Sequence, residues 1–113
     1  MVQHSDYTSD LIFDSLAIRS TATQTSLVAD CRGFQARTII IENGLNQLVT
    51  FQIQKCRTGD FAKPIDIGAS FDVAASSNDY RSLDVYFPFV RITATCTIAP
   101  TTGTLTVSLE KIY

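Results

Sequence analysis

The sequence has no tryptophan, one histidine and one methionine, and its three cysteines and five glycines are scattered along the chain. Each shortage removes a class of function. A Ser-His-Asp or Cys-His device would have to be built on His4, which sits in a polar terminal stretch, whereas such devices need a rigidly held imidazole. His4 is therefore expected to be a solvated residue, and no catalytic residue is assigned. Cys31, Cys56 and Cys96 are odd in number and form no C-x-x-C pair, which argues against a disulfide framework or a zinc site. They are expected to be free thiols packed as small hydrophobes, with no metal. Gly33, Gly44, Gly59, Gly68 and Gly103 stand singly, so no glycine-rich loop is present to cradle a phosphate, and no cofactor is expected. No apolar run approaches the roughly 20 residues of a bilayer-spanning helix, so no membrane partner is expected. The first residues lack the basic and apolar regions of a signal peptide, which predicts a chain made and kept in a cytoplasm. With a formal net charge of −2 there is no basic excess to neutralise phosphates, so no nucleic-acid partner is expected either.

What the chain does have is alternation. In the stretch Val90 to Ile98 every even position is apolar and every odd one is Arg or Thr, the period-two pattern of a strand with one buried face. Ala99-Pro100-Thr101-Thr102-Gly103 reads as a turn, after which Leu105, Val107 and Leu109 resume the pattern. Arg37-Thr38-Ile39-Ile40-Ile41-Glu42 is a β-branched run, and Val49, Phe51 and Ile53 alternate with Thr50, Gln52 and Gln54. Asn43-Gly44 between them carries the residues that supply positive φ in a tight reversal. The sequence thus predicts two hairpins, over residues 37–57 and 90–109, with Val49, Phe51, Ile53, Val90, Ile92, Leu105, Val107 and Leu109 in the core.

The rest is less regular. Residues 1–9 form a polar N-terminal arm, and residues 10–113 a single domain. Leu11, Ile12, Phe13, Leu16 and Ile18 put apolar side chains on both parities, which means a strand covered on both sides or one that slips phase at a bulge. Leu27 to Arg32 reads as a short strand. Residues 65–67 and 70–75 read as two short strands broken at Gly68, 76–79 as a polar loop, and 80–84 as ambiguous. With about seven or eight short strands and no long amphipathic helix, the expectation is an all-β fold, an antiparallel β-sandwich of jelly-roll or immunoglobulin-like type. Asp60, Asp66, Asp72, Asp79 and Asp84 fall in loops and at strand ends, where Asp forms turns. Ser77-Asn78-Asp79 is too generic for a calcium loop.

Two groups of residues are familiar together. Ile39-Ile40-Ile41-Glu42-Asn43-Gly44 with Val49-Thr50-Phe51-Gln52-Ile53-Gln54, and Phe89-Val90-Arg91-Ile92-Thr93-Ala94-Thr95 with Ala99-Pro100-Thr101-Thr102-Gly103-Thr104-Leu105-Thr106, resemble small β-sandwich virion accessory proteins of tailed bacteriophages, of the capsid decoration (cement) or head-spike type. The resemblance covers about Leu27 to Leu109. It implies a virion structural protein, not an enzyme, assembled in the host cytoplasm as a homo-oligomer such as a trimer. Its implied partners are the major capsid protein or another virion protein. The alternative is a receptor- or carbohydrate-binding sandwich of a phage tail or bacterial surface; such a lectin would usually show exposed Trp or Tyr platforms and often calcium-binding acids, and the sequence has no tryptophan.

Apolar or aromatic side chains on nominally outward strand positions, or in the arm, mark the candidate subunit or capsid interface: Tyr7, Ile40, Phe87 and Phe89, with Arg91 sharing the parity of Phe89. The competing reading covers these side chains with the protein's own loops.

Overall fold

The computed structural model describes residues 7–33, 36–83 and 88–112. Nine strands form among them: β1 (Tyr7–Leu16), β2 (Gln24–Thr25), β3 (Ala29–Asp30), β4 (Ala36–Asn43), β5 (Val49–Cys56), β6 (Ile65–Val73), β7 (Ser77–Leu83), β8 (Phe89–Thr95) and β9 (Leu105–Ile112). They make a four-stranded sheet in the order β1-β9-β4-β7 and a five-stranded sheet in the order β2-β8-β5-β6, with β3 also paired to β8. All pairings are antiparallel. The first strand begins at Tyr7, inside the stretch read from sequence as a polar arm.

The pairings nest. β5 pairs with β6, β4 with β7, β2 and β3 with β8, and β1 with β9, and successive pairs lie in alternate sheets. This is a long antiparallel ribbon wound into two facing layers, the jelly roll. Its tip is the β5–β6 hairpin.

That winding corrects both expected hairpins. β4 and β5 lie in different sheets, as do β8 and β9, so residues 44–48 and 96–104 are arches that carry the chain across the sandwich. Alternation shows which side chains face the core but not which strand sits beside which. A hairpin and an arch therefore present the same pattern. Nor does Asn43-Gly44 make the expected positive-φ reversal, since neither residue has positive φ. Gly44 is needed for close approach instead: its N–H donates to the Thr104 carbonyl at 2.9 Å, and a Cβ there would lie 2.8 Å from that oxygen. Gly103, at φ +88, presses against the other side of the same contact, where a Cβ would meet the Gly44 carbonyl oxygen at 1.9 Å. Asn46 completes the clasp, accepting from the N–H of Thr101 at 2.9 Å and donating to its hydroxyl at 2.7 Å.

The core lies between the layers. Val49, Phe51, Val90, Ile92, Leu105, Val107 and Leu109 are fully buried and Ile53 nearly so, as the alternation predicts, with Ile39, Ile41 and Leu45 beside them. Both parities of β1 are accommodated by bulges, where its register against β9 shifts between Leu11 and Phe13 and again before Leu16, so Ile12 and Phe13 are both buried. The two short strands expected either side of Gly68 are one strand, β6, bulged where Gly68 takes φ +67. Residues 77–83, expected as a polar loop and an ambiguous stretch, are β7, whose inward side chains are largely polar.

One open side of the sandwich is closed by a stack: Phe51 lies 5.8 Å from Phe71, and the Arg81 guanidinium lies 4.0 Å over the Phe71 ring while pairing with Asp79 at 2.8 Å. At the β1–β9 end, Lys111 is buried and donates to Asp10 at 2.8 Å and to the Asp30 carbonyl at 2.7 Å.

Phe51→Ala should lower the free energy of unfolding by about 3–5 kcal/mol in urea titrations, because it empties the centre of both the core and the stack. Gly103→Ala should cost more than about 2 kcal/mol through strain and collision with the Gly44 carbonyl. A change below about 0.5 kcal/mol would show that the arches are not clasped in this way.

Candidate functional site

The two outer faces of the sandwich differ in chemistry. On the four-stranded sheet, Ile39 and Ile41 are fully buried, so period two forces Ile40 outward. The register then sets Leu11, Ser108, Ile40 and Tyr80 in one row across all four strands. Leu11, Ile40 and Tyr80 are 49%, 37% and 64% exposed, a continuous apolar bar with one serine in it. The rows on either side are polar: Ser9, Glu110, Thr38 and Ser82, then Thr106, Glu42 and Asn78. Thr38, Ile40, Asn78, Asp79 and Tyr80 line a shallow depression of about 300 Å³. The basic residues of these strands turn away from this face, with Arg37 and Lys111 buried and Arg81 on the Phe71 ring. Glu110 accepts from the Ser9 hydroxyl, and partial burial raises its pKa above the usual glutamate value.

The five-stranded sheet instead satisfies its own outer face. Thr23 bonds Thr95 at 2.8 Å, Thr50 donates to Asp72 at 2.7 Å, Gln54 donates to Asp66 at 3.0 Å, and Arg91 donates to Gln54 at 2.9 Å. The Gln52 amide donates to the Gly68 carbonyl at 3.2 Å and so caps the β6 bulge.

The structure places the sequence-derived candidates on two opposite faces. Ile40 is on the four-stranded sheet; Phe89 and Arg91 are on the five-stranded one. Phe89 is half-buried, with Gly59 of the β5–β6 loop against its ring and the Arg32 guanidinium 5.0 Å over it. Arg91 lies 4.4 Å over the ring of Phe61, a residue of the same loop. Phe87 and the side chain of Tyr7 lie outside the described residues, as does His4. Sequence reasoning missed Leu11 and Tyr80. Leu11 was ambiguous because the bulge parity was unknown, and Tyr80 because β7 buries so little that its alternation carries almost no hydrophobic signal.

The same β5–β6 loop borders a cleft of about 510 Å³ lined by Cys56, Arg57, Thr58, Asp60, Ala62, Lys63 and Ile65. Asp60 accepts from the Thr58 hydroxyl at 2.6 Å and the Ala62 N–H at 3.1 Å, and these bonds hold its pKa below the usual aspartate value. The Cys56 thiol is likewise lowered, chiefly by the backbone N–H of Thr58. Cys31 is pushed up to about 11 by burial, and burial also raises Cys96. All three cysteines are free. Among the described residues no group of three or more His, Cys, Asp or Glu side chains is placed to hold a metal.

No protein-family profile matches the chain, and no curated protein matches it in sequence. Solved structures do match its fold. The PBSX exported protein XepA superposes with a TM-score of 0.73 at 11% identity over 98% of this chain, which spans 39% of XepA's length. The SPBc2 prophage-derived protein YomS gives 0.60 at 13% identity, covering 100% of this chain and 98% of YomS. The Tobacco streak virus coat protein gives 0.51 at 8% identity, covering 100% and 90%. The fold is shared; the sequence is not. A prophage-derived protein and a viral coat protein thus stand among the structural neighbours of this jelly roll, and YomS is matched nearly from end to end.

Thiol-reagent titration should find three cysteines in denaturant. In the native protein near neutral pH, Cys56, which lines the cleft and is 5% exposed, should react slowly but before Cys31 and Cys96, which are 0% and 1% exposed and whose thiolates burial disfavours. Cys56→Ser should remove the earlier phase.

Proposed function

We propose that the protein is a non-enzymatic virion structural component, a capsid decoration or cement protein that binds the assembled shell as a homo-oligomer, a trimer in the simplest case. A jelly roll by itself serves viral coats and lectins alike. The observation that carries this reading is the apolar bar Leu11, Ile40 and Tyr80, laid across the whole outer face of one sheet. A flat strip on rigid strands is suited to contact with another protein surface. The neighbours of prophage and viral origin support the setting. The ionisable side chains support a structural role, since many are held in ion pairs or turns: Asp30 with Arg32, Asp79 with Arg81, Asp10 with Lys111, and Asp60 within its loop.

The role would be mechanical. A subunit that bridges neighbouring shell proteins binds only the assembled state, and so stabilises it by mass action against the outward pressure of packaged DNA.

The test is co-sedimentation of the purified protein with expanded capsids of its phage. Tyr80→Ala should weaken capsid binding by about tenfold or more, as truncation of an interface tyrosine commonly does. Because Tyr80 is exposed, the same change should alter fold stability by less than about 0.5 kcal/mol. A protein that ignores capsids but binds glycans or host cells would replace this reading with the receptor-binding one.

A further inference from the structure

We propose that Asn43-Gly44 is a latent self-modification site: the fold keeps its amide intact, and deamidation there, once the arches open, prevents the chain from returning to this fold. The inference is independent of the virion reading and concerns this chain alone.

The chemistry lies in the dipeptide. Asparagine is thermolabile, because its side-chain carbonyl carbon can be attacked by the backbone nitrogen of the residue that follows. The Gly44 nitrogen gives its proton to solvent base and bonds to Asn43 Cγ, the Cγ–Nδ2 bond breaks, and ammonia leaves. Water then opens the five-membered succinimide at either of its two carbonyls, leaving an aspartyl or isoaspartyl residue. The net change consumes an amide and a water and yields a carboxylate and an ammonium ion. Glycine hinders this attack least, since it has no Cβ and its backbone turns freely. The chain has two other asparagines, Asn46 and Asn78, and these are followed by Gln47 and Asp79.

The structure holds the reacting atoms out of reach of each other. Asn43 is paired with Leu105 on one side and Ser77 on the other, so its backbone is extended. Closing the ring needs the Gly44 nitrogen swung toward the Asn43 Cβ, and that rotation breaks the ladder. The Gly44 N–H is also committed, donating to the Thr104 carbonyl at 2.9 Å. The amide is pinned from its other side: Nδ2 donates to the carbonyls of Gln47, Val73 and Ala74 at 3.0–3.2 Å, and Oδ1 accepts from the Leu45 N–H at 3.1 Å. Gly44 itself is exposed, so fixed geometry, rather than distance from water, protects the pair.

The same contacts exclude the product. An ionised carboxylate only accepts hydrogen bonds, so in place of the amide it would set a negative charge against three carbonyl oxygens at a buried position. The isoaspartyl form also adds a methylene to the main chain beside the point where Gly44 and Gly103 press together.

Peptide mapping by mass spectrometry tests this on the full chain, held in mildly alkaline buffer with and without urea. In urea, Asn43 should deamidate at least about tenfold faster than Asn46 or Asn78, and Gly44→Ala should remove that excess. Without urea the rate at Asn43 should fall by about a hundredfold or more, because only the open fraction reacts. Asn46→Ala loosens the clasp from outside the reacting pair. It should raise the rate without urea by about threefold or more and leave the rate in urea unchanged. On dilution from urea, the fraction of chains that regain the native fold should fall in step with the fraction deamidated at Asn43. An Asn43 that reacts as fast in the folded protein as in urea would overturn the proposal. So would deamidated chains that refold to the wild-type melting temperature, or unfolded chains that react no faster at Asn43 than at Asn46. None of these outcomes bears on capsid binding, which co-sedimentation of untreated protein decides separately.

Discussion

The buried amide of Asn43 is the interaction on which the winding of this sandwich depends. It is the last residue of β4, has 1% of its surface exposed, and faces the core among Ile and Leu side chains. Its Nδ2 donates to the carbonyls of Gln47, Val73 and Ala74 at 3.0–3.2 Å, and its Oδ1 accepts the N–H of Leu45 at 3.1 Å. One side chain thus ties the end of β4, the arch that leaves it and the end of β6, three pieces of backbone that meet where the chain changes layers. Where the chain leaves its ladders, backbone carbonyls that are buried and left unmet cost about 1–3 kcal/mol each. Asn43 shares its two N–H hydrogens among these three carbonyls, and the clasp between Gly44, Asn46 and residues 101–104 then locks the second arch beside the first. The jelly-roll order of the strands follows from crossing the layers at these two points rather than turning back within one sheet.

Once the layers are set, the outer faces are free to differ, and they do. The five-stranded sheet spends its outward side chains on one another, in threonine, glutamine and aspartate pairs between adjacent strands. Such a face has few unmet groups to offer a partner. The four-stranded sheet leaves its outward isoleucine, leucine and tyrosine in solvent. Exposing these side chains forgoes hydrophobic stabilisation of about 25 cal/mol per Å² that another surface could recover. This contrast within one small domain, and not any single exposed residue, is what supports the proposed interaction role. The edges are managed separately. β6 is kinked by its Gly68 bulge and capped by Gln52, which blunts its template for further strand pairing.

Much of the fold was legible because burial imposes period two wherever a strand has one wet face. That rule found β4, β5, β8 and β9, named the core from Val49 to Leu109, and flagged the bulge in β1 from its doubled parity. It also forced Ile40 outward, because Ile39 and Ile41 could not both be buried otherwise. It failed at β7, where the inward side chains are Asp79 and Arg81, an ion pair packed on Phe71, so that a sheet-edge strand reads as a polar loop. It placed Phe89 outward without deciding between a partner and the protein's own loop as its cover, because the loop that covers it arrives from between β5 and β6, far away in sequence.

The sequence by itself therefore determined the class of the fold, the identity of the core and the side of each strong strand that meets water. All three follow from local alternation and the free energy of burying apolar surface. Only the tertiary structure decided that the expected hairpins are arches, that β4 neighbours β7 and β9 rather than β5, and that Leu11, Ile40 and Tyr80 stand in one row. Strand neighbours are chosen by contacts between residues distant in the chain, such as the Asn43 amide on Val73 and Ala74, and by the close approach of Gly44 to Gly103. A periodic pattern carries no record of which strand will lie alongside, so no surface that spans several strands can be read from it.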